Sequence, residues 1–352
     1  VEALGGDETR RWGPPFSADG MSAYFRGVNR NKLSLALDLS SNDGQEVLLR
    51  LLENADVLLE NFKAGQMEKW GLGYESSLSD RFPQLIYGQI TGYGTEGPLA
   101  GRPGFDAIAQ VMSGLVSING AAHGSPVRVG APISDLTTAF YATNGILMAL
   151  YERTLSDLGQ KVDVSLLDCS VSLLHPHAAN YFMTGESPTR IGNAHPNIAP
   201  YEMFETANGF IFIAAGTNRQ FERLVTFLGK PELAADPRYL DNATRKANEK
   251  SLMAELSSLL VGRDASVLAE ELLADGVPAG AVLEVPKVLE HPQVRARDMV
   301  VDDGEYRGIG VPVKMGRTPG YPRVLPPKLG EHANDILLQA GYDKAEIDSL
   351  LR

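Results

Sequence analysis

The carboxylate of Asp168 lies in the segment Gly159-Gln160-Lys161-Val162-Asp163-Val164-Ser165-Leu166-Leu167-Asp168-Cys169. Val162 and Val164 alternate with polar neighbours as in a strand, whereas Leu166, Leu167, Val171, Leu173 and Leu174 follow at helical spacing. Ser165 is therefore expected at a strand-to-helix switch, with Asp168 in the first helical turn. Free N–H groups and the positive end of the helix dipole keep a carboxylate there ionised and fixed, as a carboxylate nucleophile requires. The same position suits an acid that only complements the dipole, so the segment alone leaves both roles open.

Other reactive or charged residues narrow the choice. Arg26, Arg30 and Lys32 form a cationic cluster, read either as an anion contact or as a solvated loop. Asp106 follows an irregular Gly-rich loop and is read as a helix cap or as a neighbour of Asp168 in one pocket. Gly92-Tyr93-Gly94-Thr95-Glu96-Gly97 is a literal G-x-G-x-x-G after a strand, but Pro98, Gly101, Pro103 and Gly104 follow where a dinucleotide fold would open a helix. A nicotinamide or flavin site is rejected on that ground. No nucleophile elbow, P-loop or H-E-x-x-H occurs, and the six histidines lack metal-ligand spacing. Proline separates the nearest pair, His175 and His177, so no metal site is expected.

These residues need elements to hold them. Leu33 to Leu39 alternates as a strand, Ser41-Asn42-Asp43-Gly44 offers a cap for a helix with Val47, Leu48, Leu51 and Leu52 inside, and Asp56 to Glu60 is the next strand. That β-α-β unit implies a parallel sheet. Its second strand runs out at Asn61-Phe62-Lys63-Ala64-Gly65, and ligands of open α/β sheets gather at such carboxyl ends, where Lys69 adds charge. A further strand spans Leu85 to Ile90, and an apolar helix runs from Phe105 to Leu115. Asp135 is read as the N-cap of a long helix through Tyr151, with Phe140, Ile146, Leu147 and Leu150 packing inward.

From about Pro200 the pattern changes. Tyr201 to Thr206 and Phe210 to Ala214 flank Asn208-Gly209, a hairpin signal. Helices are expected at Gln220 to Leu228, Lys246 to Val261 and Ala265 to Ala274, with a strand near Val277 to Val285. The organisation expected is a large α/β domain over 1–195, a small α+β domain over 200–318, and a linker with a terminal helix over 319–352 returning to the first domain.

Composition sets bounds. A chain of 352 residues, 43% hydrophobic and 22% charged, has the length for two domains. Its net charge of −12 disfavours nucleic acid or an anionic membrane surface as the main partner. A single cysteine, Cys169, excludes an internal disulfide framework, and with no spanning segment or signal peptide in view the chain is expected to be cytoplasmic.

Over nearly its whole length the chain resembles the family III CoA-transferases, also called the formyl-CoA transferase or CaiB/BaiF family. The resemblance rests on Tyr24-Phe25 with Asn29-Arg30-Asn31-Lys32, Leu37-Asp38-Leu39, Asp56-Val57 with Glu60-Asn61-Phe62, the loop from Gly92-Tyr93-Gly94 to Gly97-Pro98, Gly159-Gln160 to Asp168, and Leu329-Gly330-Glu331-His332. It implies a Rossmann-like large domain plus a small domain, in a homodimer of interlocked rings. It also implies that Asp168 is the nucleophile, that Tyr24 and Asp106 lie near the reacting centre, and that CoA touches Leu37, Leu39, Asn61, Phe62 and Lys69. Arg102 joins these as a CoA-binding candidate. No cofactor is expected to be tightly bound, because the CoA thioester is itself the substrate.

The resemblance has gaps. Ser40 stands where some members carry lysine, and Val1 to Asp7 reads like a strand end entering a Gly-rich loop, so the family's opening β-α unit is expected to be missing. An inactive CoA-binding fragment is thus one alternative. The other is an acyl-CoA racemase, similar around Gly104-Phe105-Asp106 and Asp135. Phe105 replaces the racemases' histidine base and cannot move a proton, which disfavours it. The segment from Gly192 to Tyr201 resembles members that use succinyl-CoA and dicarboxylic acceptors, with Arg190 or Arg128 as candidates for a distal carboxylate.

Overall fold

The structure, a computed structural model, describes residues 1–302, 304, 306–321 and 323–351; residue 322 of the Pro-rich stretch and the terminal residue 352 lie outside them. The chain opens with α1 (Ala23–Val28), α2 (Asn42–Leu52), β1 (Val57–Glu60), the short α3 (Gln66–Lys69) and α4 (Ser79–Arg81), and β2 (Ile86–Thr91). Next come α5 (Asp106–Met112), α6 (Leu115–Ile118), the long α7 (Ile133–Ser156), β3 (Lys161–Ser165), α8 (Leu166–Ser172) and α9 (His177–Thr184). Then follow β4 (Tyr201–Thr206), β5 (Gly209–Ala214), α10 (Asn218–Phe227), α11 (Asn242–Ala247), α12 (Glu249–Leu260), α13 (Ala265–Ala274) and β6 (Ala279–Ala281). The last elements are α14 (Val285–Glu290), α15 (Pro292–Ala296), β7 (Val300–Asp302), β8 (Arg307–Ile309), α16 (Ala333–Gln339) and α17 (Lys344–Leu350). This is a mixed α/β fold with a parallel sheet and antiparallel sheets. No helix of the described residues is long and apolar enough to cross a membrane.

Contacts group the chain into two units. One holds Val1–Pro103, Phe140–Val164 and Val285–Arg352, the other Gly104–Ala139 and Ser165–Glu284. These cuts fall elsewhere than the sequence-based 1–195, 200–318 and 319–352.

In the first unit the sheet order is β1-β2-β3, with β1 and β2 parallel and Glu60 opposite Gln89. The expected strand over 33–39 is extended backbone with a single bridge, Glu2 to Ala36, among the described residues; Glu2 exchanges hydrogen bonds with Leu35 and Leu37, and the His332 N–H donates to the Ser34 carbonyl without extending this into a ladder. Its alternation still works. Leu35, Leu37 and Leu39 enter one core with Val47 and Leu48 of α2 and with Leu337 and Ile347 of α16 and α17. Ser41 caps α2 as expected, its Oγ accepting the Gly44 N–H at 3.1 Å. A Cβ on Gly44 would stand 2.1 Å from the Asp38 carbonyl oxygen, so this turn needs glycine. The single terminal helix expected is two, separated at Gly341, whose φ is 84°.

Helix α7 overturns two expectations. Its first helical residue is Ile133, so Asp135 lies inside the first turn and does not cap it. Phe140 and Leu147, expected inside, are 64% and 58% exposed. The buried positions are instead small, among them Thr138, Ala142 and Ala149, and a Cβ on Gly145 would meet Val162 of β3 at 2.7 Å. Close helix–sheet approach selects the small face for the core, and the large apolar face is left outward.

The second unit contains the antiparallel sheet β4-β5-β6. Thr206 pairs with Gly209, so Ala207-Asn208 form the two-residue connection and Gly209 opens β5, one residue earlier than the sequence pattern suggests. The expected helix over 246–261 breaks at Asn248 into α11 and α12. Phe204, Ile211, Ile213, Phe221, Leu252 and Leu268 belong to its core.

Candidate active site

Asp168 sits as the sequence predicts. Ser165 ends β3, turns the chain in an extended conformation, and accepts the Asp168 N–H with its Oγ at 3.0 Å, forming the N-cap of α8. Leu166, Cys169 and Ser170 anchor the buried face of α8, which turns the Asp168 side chain outward into solvent. The outcome is a rigidly mounted, accessible carboxylate on the first turn of a helix. Cys169 is buried beneath it, and both that burial and the Asp168 charge push its thiol upward, so it stays a thiol.

Asp106 opens α5 and is fully engaged. Its Oδ1 accepts the Ser134 N–H at 2.8 Å and the Asp135 N–H at 3.4 Å, capping α7 from a different helix. Its Oδ2 accepts from the Gln110 side-chain amide at 2.8 Å, and Gln110 Oε1 accepts the Val129 N–H at 2.8 Å. Ser134 Oγ lies 2.7 Å from Ser170 Oγ on α8. A continuous polar chain therefore runs from Asp106 through Ser134 to the helix that carries Asp168. Gln110, Ser134 and Ser170 are each 0% exposed and were not singled out by sequence. Their only signal is polarity inside apolar helical patterns. Although solvent reaches Asp135, desolvation by its surroundings and the negative charge of Asp106 push its carboxyl above the usual range.

The CoA-binding candidates belong to the first unit, as does Tyr24. Asn61 and Phe62 follow β1 at its carboxyl end, both exposed, with Phe62 packed edge-on against Trp70 at 5.0 Å. Lys69 ends α3 and is exposed. The Gly-rich loop 92–104 stays irregular and passes this turn, a Cβ on Gly101 standing 3.8 Å from the Ala64 carbonyl oxygen, which brings Arg102 alongside. Leu37 and Leu39 differ: their side chains are 7% and 9% exposed and belong to the core, so a ligand would meet their backbone or edges. The Leu37 N–H donates to Glu2, and the Leu39 carbonyl accepts from Gln45. Tyr24 lies on α1, 40% exposed, edge-on to Trp12 at 4.8 Å.

A carboxylate that sequence reasoning named only within a match, Glu60, is buried directly behind Asn61. Burial pushes it above the usual carboxylate range, and hydrogen bonds from Phe62, Gln89 and Tyr87 offset this in part. Arg190 donates to the Gly124 and Ser117 carbonyls, and Arg128 to those of Val129 and Gly130. Burial, the Lys246 charge and the neighbouring His177 and His175 push the His195 imidazole downward, which keeps it neutral. Among the described residues no cluster of three or more His, Cys, Asp and Glu could hold a metal ion.

The chain is similar to known proteins along most of its length. Residues 1–333 match the model of CoA-transferase family III. The chain is 40% identical over 345 residues to a succinate–glutarate CoA-transferase of Agrobacterium fabrum, covering 95% of this chain and 86% of that protein. It is likewise 40% identical over 357 residues to a succinyl-CoA:mesaconate CoA-transferase of Haloarcula marismortui, covering 97% and 89%. A crystal structure of a CaiB/BaiF family protein from Brucella suis superposes with a TM-score of 0.85 at 40% identity, covering 97% of this chain and 90% of that one.

Proposed function

The chain belongs to CoA-transferase family III, and from that premise we propose that it moves CoA from a succinyl-CoA-like donor to a dicarboxylic acid, with Asp168 as nucleophile. The observation that carries this reading is the outward carboxylate of Asp168, mounted on the first turn of α8 by the Ser165 cap. A carboxylate so placed is oriented and accessible to a thioester carbonyl.

The reaction then follows from carboxylate chemistry. An Asp168 oxygen attacks the donor thioester carbonyl, the C–S bond breaks, and CoA leaves as a thiolate, giving an acyl-aspartyl anhydride. The thiolate returns to the Asp168 carbonyl, releasing the donor acid and forming an aspartyl-CoA thioester. The acceptor carboxylate attacks that thioester, expels the thiolate again and becomes the acyl half of a second anhydride. Attack of the thiolate on the acceptor carbonyl yields the new thioester and restores Asp168. Every step exchanges activated acyl groups, so ATP and a metal ion have no part, but the anhydrides must be kept from water.

Supporting roles are assigned on the same reading. Asn61, Phe62, Lys69 and Arg102 line the strand-end turn as CoA contacts, with Leu37 and Leu39 contributing backbone edges. Asp106 holds the helix that braces α8, and Tyr24 serves near the acyl group. Arg190 is the candidate for a distal carboxylate of the acceptor, which suits the glutarate and mesaconate named for the relatives. The working form is a homodimer whose chains interlock.

Incubation with succinyl-CoA and a panel of carboxylic acids, followed by mass spectrometry, tests this reading. A new CoA thioester is expected with dicarboxylic acceptors, and Asp168→Asn is expected to lower its rate by about four orders of magnitude or more while the fold is kept. Normal turnover by Asp168→Asn would defeat the assignment.

A further inference from the structure

Resting on the reading that Asn61 and Phe62 contact CoA, we propose that Glu60 is a positioning residue whose ionised carboxylate sets the CoA-binding turn. Glu60 is the last residue of β1 and is 6% exposed. Its Oε2 accepts the Phe62 N–H at 2.6 Å, so it grips the backbone just beyond Asn61. Its Oε1 accepts from the Gln89 side-chain amide at 2.6 Å and the Tyr87 hydroxyl at 3.2 Å, both on the neighbouring β2.

Three donors surround the carboxylate, and that arrangement fits an acceptor-only group. A protonated carboxyl would aim its own O–H at one of those donors. The Gln89 amide nitrogen faces Glu60, and its buried Oε1 has no hydrogen-bond partner among the described residues. Strand packing alone gives no reason for a buried carboxylate here, since an apolar residue of similar size would fill the space without the desolvation cost. What the carboxylate adds is a charge-assisted hold on the Phe62 N–H. That hold fixes the Phe62 ring against Trp70 and points Asn61 outward.

The opposing influences make the device titratable. Burial and the negative charge of Glu68 on α3 raise the Glu60 pKa, while Phe62, Gln89 and Tyr87 work against them. As pH falls the carboxylate takes a proton, one bond to the cluster is lost and the turn loosens.

The test compares the wild type with Glu60→Gln, which keeps the size but is neutral and replaces one acceptor oxygen with an N–H donor. The dissociation constant of CoA, measured by calorimetry at pH 8, and the KM for succinyl-CoA are both expected to rise about tenfold, with kcat changed less than about twofold. Wild-type KM is expected to climb toward the variant's as pH is lowered, and the variant's KM to stay flat. Equal affinities, a joint fall in kcat, or a pH limb that persists in Glu60→Gln would overturn the proposal. If that variant does not fold, Tyr87→Phe removes one anchoring bond and is expected to raise the same KM by about threefold; an unchanged KM would overturn the idea equally. Absence of any CoA transfer by the wild type defeats the functional reading itself, whereas wild-type transfer with an indifferent Glu60→Gln defeats this inference alone.

Discussion

Arg10 meets Glu2 with both prongs of its guanidinium, 2.7 Å to each carboxylate oxygen, and Ser34 Oγ donates to the same group at 2.6 Å. Burial alone would raise the Glu2 pKa, but Arg10, Ser34 and the Asp7 N–H outweigh it and bring the carboxyl down to about 2. A depressed folded pKa means stability that is present above the ordinary glutamate range and lost as pH falls toward about 2. Glu2→Gln is therefore expected to lower the Tm at pH 7, with the gap to wild type narrowing below the ordinary glutamate range and closing as pH falls through about 2; a gap that stays constant would show that the charge is irrelevant. Glu60 has the opposite sign. Burial makes its ionised form costlier in the native state than in the unfolded chain, so global stability is favoured below the ordinary carboxylate range and that advantage is lost as pH rises through the folded value, whereas the local hold on the Phe62 N–H is the part that the ionised form strengthens. Neither environment was legible in sequence, because Arg10 lies 8 residues from Glu2, and Tyr87 and Gln89 lie 27 and 29 from Glu60. Asp168 was legible because its determinants are local: a strand alternation, a serine cap and a helical period all fall within one short stretch.

At the scale of elements the same distinction recurs. The Ser41 and Ser165 caps are three residues from the N–H they accept, so sequence spacing exposes them. The cap of α7 comes from Asp106, 28 residues before Ser134, and local spacing pointed to Asp135 instead. That remote cap makes Asp106 a joint between α5 and α7, and through Ser134 and Ser170 a brace for α8. Asp106→Ala leaves the Ser134 N–H and the buried Gln110 amide without this acceptor. The expected cost is about 1–3 kcal/mol of stability, read as a fall in the denaturation midpoint at unchanged slope. Asp106→Asn keeps one acceptor and is expected to recover about half of it. An Asp106→Ala protein as stable as wild type would show that α7 does not depend on this carboxylate. The strand expected over 33–39 failed for a related reason: alternation tells which side chains go inward, but a ladder also needs a neighbouring strand, and among the described residues the segment makes a single bridge, with Glu2.

Helix α7 is apolar on more than one face. Its small face, with Thr138, Ala142, Gly145 and Ala149, packs inward, yet Phe140, Leu147, Met148, Tyr151 and Leu155 recur on another face and are each more than half exposed. A helix that is apolar on both sides belongs in an interior, and within one chain α7 has only half of one. Other helices repeat the pattern: Val111 on α5 and Phe182 and Met183 on α9 are 58%, 83% and 88% exposed. Isolated apolar residues on a surface need no explanation, but several large ones on each of three helices call for a covering partner, and the proposed homodimer supplies one. Leu147→Asp puts a charge in the middle of the α7 face, where a buried unpaired carboxylate costs about 3 kcal/mol or more, equivalent to at least about a hundredfold in association. Sedimentation is expected to find wild type at twice the chain mass and Leu147→Asp largely at the mass of one chain. CoA transfer should fall with the dimer fraction, because an interlocked partner would hold these helices in place. A Leu147→Asp protein that stays dimeric and active would remove α7 from the interface, and a monomeric but fully active one would separate the chemistry from the assembly.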